Sequence, residues 1–561
     1  MKKPFTILLF SFYSLPAFIN AQAPDWLWAK SAGGSNGDEA IAICTDANAN
    51  AYVTGHFLSD SIIFGTDTFV NTSYDQYWDM FITKYDSSGS VKWSKWAGGL
   101  YHETGNGICT DGAGNLYVTG AFSDTTITFG SIVLHNSFED VERIFIVKYD
   151  TAGNALWART NEGGFGHGTS VSTDAHGNVY VAGTFSYGDL IFDSVTVGDA
   201  GGMNMFIVKY DSSGNVQWAK ASVDPGSDFG HSSATDAAGN SYVTGRFQGL
   251  SIDFDTVHLT GTNVGIGDFY IVKYDSAGNV PWAKAVGTST GWEEGRGICT
   301  DAGGNVFVTG VFGSNPVTFD TDTLTNAGAG DMFIVKYDGA GNVQWAKRAG
   351  GTGDEVGVGI CTDANGNVLM TGSTASTSVS FGSITLPNTN GTEIFVAKCD
   401  SSGNVIWAKL AGGTGGDGGY GISTDATGRA YVMGLFDSPS INFGVTSITN
   451  AAAGALDLFI AKLDSSSIPT ANSKADPGKG ISIFPNPADD VLYLEFMRSG
   501  HETMELQITD IVGHLIYRQS LRNSIGSNQA EINISAFKPG LYTVRLASDS
   551  WTSTELVVIS K

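Results

Sequence analysis

From residue 26 to residue 464 the apolar positions fall in short runs, without the three-and-four spacing of an amphipathic helix. The runs are β-branched and aromatic, and Gly, Asn, Asp and Ser bound them, which is the pattern of strands. Three phrases recur in fixed order. The first is Gly297-Ile298-Cys299-Thr300-Asp301 and, three residues on, Asn305-Val306-Phe307-Val308-Thr309-Gly310. The second is Phe333-Ile334-Val335-Lys336-Tyr337-Asp338, and the third is Val343-Gln344-Trp345-Ala346-Lys347. One tryptophan register repeats at Trp28, Trp93, Trp157, Trp218, Trp282, Trp345 and Trp407, with spacings of 61 to 65 residues. Each unit therefore predicts four strands: a and b from the first phrase, c from the second and d from the third.

Seven four-stranded units predict an all-β chain whose main body is a seven-bladed β-propeller, because radial repetition leaves only short protected edges. A linear solenoid is the alternative, but units of this length are long for its coils. The first unit begins at its d strand, Trp26 to Lys30, and the last ends at its c strand, Phe459 to Asp464. That permuted register predicts that the two pair and close the ring. Short Asp-to-Asn turns join a to b, as from Asp301 to Asn305, and similar turns join c to d. Both lie on one face. The longer b–c and d–a connections lie on the other, and phrases such as Ile127-Thr128-Phe129-Gly130 predict a small extra hairpin in each b–c connection.

The repeated phrases and the Gly-Gly-x-x-Asp-Glu loops resemble the bacterial seven-bladed β-propeller repeat family over residues 26–466. That resemblance implies a fold and not an activity. After a polar linker (467–479), residues 480–561 carry several short alternating strands and predict a small C-terminal β-sandwich. The phrases Phe484-Pro485-Asn486-Pro487-Ala488, Asp510-Ile511-Val512-Gly513 and Pro539-Gly540-Leu541-Tyr542 resemble the type A C-terminal sorting domain of the type IX secretion system in Bacteroidetes. The last residues, Leu556 to Lys561, depart slightly, since that family usually has a basic residue directly after the apolar run. The resemblance implies the type IX secretion machinery as a partner through residues 480–561, passage over the outer membrane and removal of the tail.

The beginning of the chain agrees with export. Lys2 and Lys3 precede an apolar run and Ala21-Gln22-Ala23, the layout of a signal peptide over residues 1–23. The propeller then occupies 24–466, and the mature chain is expected at the cell surface or in the medium, with no transmembrane segment. Five cysteines do not make a disulfide framework: four precede Thr-Asp where sister units have Ser or Ala, so the position asks for a small buried side chain. The formal charge is −26, carried almost wholly by residues 24–466. Such a surface repels phosphate backbones, so no nucleic-acid partner is expected.

Reaction chemistry is sparse. Gly33-Gly34-Ser35-Asn36-Gly37 fits a nucleophile elbow as text but lacks the strand-to-helix setting. No catalytic residue, metal ligand or cofactor is assigned. The d–a loops carry carboxylates and flat rings, and acceptors beside rings suit sugars. Trp96, Tyr101, Phe165, Phe229, Trp292, Glu293, Glu294, Asp354, Glu355 and Tyr420 are the candidate ligand contacts. The expected function is a non-catalytic exported scaffold that binds a glycan or a surface protein. The alternative is a secreted carbohydrate-active hydrolase or lyase using carboxylates of the long-loop face. Carboxylates converging on the axis would repel anions, so a neutral or cationic ligand is expected, with a neutral glycan favoured.

Overall fold

In a computed structural model the described residues are 24–73, 77–224, 226–262, 264–452 and 454–465, then 481–484, 491–498, 504–510, 514–521, 526–547 and 552–559. The expected signal peptide (1–23) and the expected linker (467–479) lie outside them. So do Pro485 to Ala488 and Ile511 to Gly513 of the sorting phrases. Among the described residues every element is a strand.

Seven antiparallel units follow one another in the order a-b-c-d. The a strands are Asp38–Thr45, Glu103–Thr110, Glu162–Thr173, Asp228–Thr235, Glu293–Thr300, Glu355–Thr362 and Asp417–Thr424, and they number blades 1 to 7. Blade 7 is completed by the first strand of the chain. Trp26–Ala32 pairs antiparallel with Asp457–Leu463, from Trp26 opposite Leu463 to Ala32 opposite Leu458. The a strand of blade 7 also packs on that of blade 1, so the ring of inner strands is closed. The molecule is a seven-bladed propeller.

The recurring residues explain the closure. In the a–b turn of blade 1, Asp46 Oδ1 accepts the amides of Asn48 and Asn50, while Oδ2 accepts Asn50 Nδ2 and the Tyr52 hydroxyl. These carboxylates are filled by their own turns. The lysine of each c strand crosses to the next blade's c–d turn, as in Lys84 Nζ to the Thr151 carbonyl at 3.2 Å and Lys336 Nζ to Ser401 at 3.1 Å. Lys462 of blade 7 completes the circuit on Ser87 of blade 1. The d-strand tryptophans lie under the same turns. Trp282 donates to the Gly339 carbonyl, and a β-carbon on Gly341 would fall 2.8 Å from its ring.

Seven small hairpins fill the b–c connections, and in blade 3 the first arm is continuous with strand b, Val179–Phe192. Their buried Ile and Phe residues, such as Ile127 and Phe129, extend the core between blades. All five cysteines are free; Cys44 and Cys399 are buried and the other three half-buried. The C-terminal segment forms two sheets, Ile481–Phe484, Val491–Arg498 and Gly526–Asn533 against Leu515–Leu521, Met504–Asp510, Gly540–Ala547 and Thr552–Ile559. Leu494, Leu506, Ile508, Ile532, Val544 and Val557 share the core of this sandwich.

Candidate functional site

The first residue of strand a is a buried carboxylate in six blades: Asp38, Glu103, Asp228, Glu293, Glu355 and Asp417. In most blades it fastens the preceding d–a loop to the end of strand b. Glu355 accepts Thr374 Oγ1 at 2.8 Å and Gly351 N at 2.6 Å; Asp417 accepts Ser438 Oγ at 2.8 Å and Gly413 N at 2.6 Å. Burial raises several of these groups, Glu293 and Asp228 to about 7 and Glu103, beside Asp124 and Asp79, to about 10. Asp79 and Asp457, which begin c strands, are pushed up by burial to about 7 and about 6. The expectation of a strongly negative channel mouth is corrected here: the repeated carboxylates are enclosed, Asp79, Asp228 and Glu293 are partly protonated at neutral pH, and Glu103 keeps its proton.

The variable residues come next. Strand a carries a bulge at its fourth residue in six blades and at the equivalent Thr169, the eighth residue of the longer strand, in blade 3. The bulged residue is Ile41, Asn106, Thr169 or Val358 in four blades, and His231, Arg296 or Tyr420 in the others. Three of these side chains, Asn106, Thr169 and His231, reach the next blade. Asn106 Nδ2 donates to Gly168 O at 3.2 Å and Thr169 Oγ1 to Gly230 O at 2.6 Å. His231 Nε2 lies 2.7 Å from Glu294 Oε1. Glu294 also takes Arg296 at 2.9 Å and lies 3.9 Å from Arg246 Nε. Burial works to raise Glu294, but His231 and the two arginines outweigh it and hold the carboxyl at about 2.

A second cluster occupies blade 3, whose a and b strands run longer than those of its sisters. The extension carries Phe165 against Tyr187, ring centroids 5.3 Å apart. Tyr187 is 81% exposed and sits at φ 58°, an unusual conformation for a bulky side chain. The pair borders a cleft of about 740 Å³ with Glu142, His167, Asp199 and Ser227. His167 Nε2 is 2.8 Å from Glu142 Oε2.

The candidate residues are therefore distributed. Phe165 lies in the blade 3 cleft. Phe229 lies beneath the Arg246 guanidinium at 4.7 Å and stacks on His231. Glu294 and Tyr420 stand at the inner rim, and Trp292 and Asp354 are exposed on either side of Gly330. Tyr101 is half-buried beside Tyr77. Two placements differ from expectation. Trp96 belongs to the outer strand Val91–Ala97, at the periphery and not in a d–a loop. Phe165, Phe229, Glu293, Glu294, Glu355 and Tyr420 are inner-strand residues, since strand a begins earlier than its recurrent phrase. Sequence reasoning passed over His231, Arg246, Arg296, His167, Glu142 and Tyr187. The signal for three of them was available: at the second and fourth positions of strand a the seven copies disagree most. Among the described residues no group of three or more His, Cys, Asp or Glu could hold a metal ion. No helix among them is long and apolar enough to cross a membrane.

An uncharacterized WD repeat-containing protein of Acanthamoeba polyphaga mimivirus is 24% identical over 505 residues, covering 74% of this chain and 36% of that protein. Regulatory protein FlaEY of Caulobacter vibrioides is 26% identical over 208 residues, 34% of this chain and 21% of that protein. The chain thus spans about a third of the first relative's length. Among solved structures, Sqt1 from Chaetomium thermophilum is similar with a TM-score of 0.38, 9% identity, and coverage of 73% of this chain and 97% of that one. A mutant of Synechocystis apocarotenoid oxygenase gives a TM-score of 0.37, 11% identity, and coverage of 78% and 93%. Residues 482–560 match the secretion system C-terminal sorting domain, which marks the chain for export by type IX secretion to the cell surface or the medium.

Proposed function

We propose that the protein is a non-catalytic exported scaffold whose propeller binds a glycan or protein ligand on its long-loop face, with a glycan favoured. A signal peptide over 1–23 starts the export, the propeller fills 24–466, and residues 480–561 after the linker engage the type IX secretion machinery. The observation that carries the ligand assignment is the Phe165–Tyr187 pair at the mouth of the blade 3 cleft. An exposed ring pair beside carboxylates and a histidine offers stacking faces to C–H surfaces and acceptors to hydroxyls. The supporting argument is asymmetry: six blades lack the extended hairpin, so its maintenance is not explained by closing the ring.

A glycan array probed with the chain lacking residues 1–23 tests this reading. Binding is expected, and Phe165→Ala with Tyr187→Ala should weaken it by tenfold or more while melting stays near that of the parent. An array without hits, or hits indifferent to both substitutions, would overturn the site. The His167–Glu142 pair in the same cleft favours one second reading, a carbohydrate-active hydrolase or lyase. Cleavage of an array-positive oligosaccharide, abolished by Glu142→Gln with binding retained, would establish it.

A further inference from the structure

Two guanidinium groups share one carboxylate where blades 4 and 5 meet. Arg296 donates through Nε and Nη2 to Glu294 Oε2 at 3.3 and 2.9 Å. Arg246, from strand b of blade 4, lies over the Phe229 ring, and its Nε has no hydrogen-bond partner. The Arg246 and Arg296 side chains are 31% and 38% exposed, so their outer N–H groups border the opening. Glu294 offsets only one of the two guanidinium charges, and Glu39 of blade 1 is the other carboxylate whose charge reaches this rim. Tyr420, 40% exposed, projects from the bulge of blade 7, and its phenol feels the charges of both Arg296 and Glu39. Blades 4 and 5 thus bring two N–H forks together, and blade 7 sets an aromatic face at the same bulge register of the inner strands. A guanidinium fork matches a carboxylate in geometry and charge. An aromatic face on the same rim suits the ring that bears that carboxylate.

We propose that the axial opening between blades 4, 5 and 7 is a carboxylate subsite, built from Arg246, Arg296 and Tyr420, that takes a uronate residue of an acidic glycan. The subsite rests on the glycan reading above and replaces the expectation of a neutral ligand. That expectation counted carboxylates that the fold has enclosed.

The test is calorimetric titration of the chain lacking residues 1–23 with hexagalacturonate and with its fully methyl-esterified form. The acid should bind at least tenfold more tightly than the ester, and the difference should shrink as salt rises. Arg296→Gln should abolish the preference, and Arg296→Lys, which keeps the charge but not the fork, should restore only some of it. Should Arg296→Gln melt early, the acid-to-ester ratio on the unaltered chain decides by itself. Equal binding of acid and ester, no binding of the acid, or equally tight binding of a hexaglutamate peptide would each overturn the subsite. If acid and ester bind equally and Phe165→Ala weakens both, the glycan reading stands and only the subsite falls.

Discussion

The Thr45 hydroxyl donates a 2.7 Å hydrogen bond to the main-chain carbonyl of Thr424, 379 positions away in the chain. The same bond recurs around the axis, each blade donating to the one before it. Thr110 donates to Thr45, Thr173 to Thr110, Thr300 to Thr235, Thr362 to Thr300 and Thr424 to Thr362. In blade 4 Thr235 instead meets the Ser172 hydroxyl at 2.7 Å. The ring is therefore closed at its centre by hydroxyls and at its periphery by the strand Trp26–Ala32.

Both closures can be weighed. Thr45→Val removes a donor and strands a carbonyl, which should cost about 1 kcal/mol in denaturant titration. Deleting residues 24–31 leaves Asp457–Leu463 as a bare edge and should cost far more, with loss of a single cooperative melt. Unchanged melting of the deleted chain would contradict the pairing.

The stability of the propeller should peak on the acid side of neutrality. Asp79, Asp228 and Glu293 are raised by burial to about 7 and Asp457 to about 6. A carboxyl raised in the folded state stabilises fully below its unfolded value of about 4, and that contribution is lost as pH rises through the folded value. The turn aspartates run the other way. Burial opposes their ionisation, yet hydrogen bonds from Asn50 and Tyr52 hold Asp46 below its ordinary value, and Asp363 is likewise lowered. Their contribution is lost as pH falls below about 4. Melting temperature against pH should therefore fall between pH 5 and 8, and Glu293→Gln should flatten that fall. A rise over the same interval would refute the assignment.

Two turn positions should respond oppositely to exchange of Ala and Gly. Ala49 stands at φ 60° in the a–b turn of blade 1, where sister turns have glycine, as at Gly114. Ala49→Gly should therefore be neutral or stabilising, by up to about 1 kcal/mol. Gly341 stands at φ 86° with the Trp282 ring 2.8 Å from where a β-carbon would lie. Gly341→Ala should cost about 1–3 kcal/mol. Denaturant midpoints compare the two directly.

Removing residues 480–561 should hold the protein in the periplasm, as fractionation and immunoblotting would show. Normal amounts of the truncated chain at the surface or in the medium would remove the sorting role. Detection of the tail on the surface form would count only against its cleavage.

The repeat made the fold readable. Seven tryptophans in register, and a first strand left without partners beside a last one in the same condition, specify both blade number and seam. Leu515–Leu521 does not read as a strand in the sequence, because most of its residues are exposed and the run lacks burial alternation. The site was less legible for a related reason. Recurrence draws attention to residues that every blade needs, such as Asp46, Lys84 and Trp282, and those serve the ring. Arg246, Arg296 and His231 occupy places where the copies differ. Only the bulge register, set by backbone pairing across strands, shows that two of these positions share one rim. Phe165 stands out in the sequence by its chemistry, but Tyr187 and Glu142 come from other segments and only the three-dimensional pairing brings them beside it.

The seam has a mechanical consequence. The strand that leads out to the C-terminal tail, Asp457–Leu463, is not at the margin of its sheet: Ala430–Phe436 grips it on one side and Trp26–Ala32 on the other. Tension applied to the tail along the strand loads both ladders at once, in shear. A terminal strand at the margin would instead peel away bond by bond, as a zip opens. A molecule hauled by its tail is thus anchored where its first and last strands clasp, and the pull is shared with the sheet's inner strands before any blade opens.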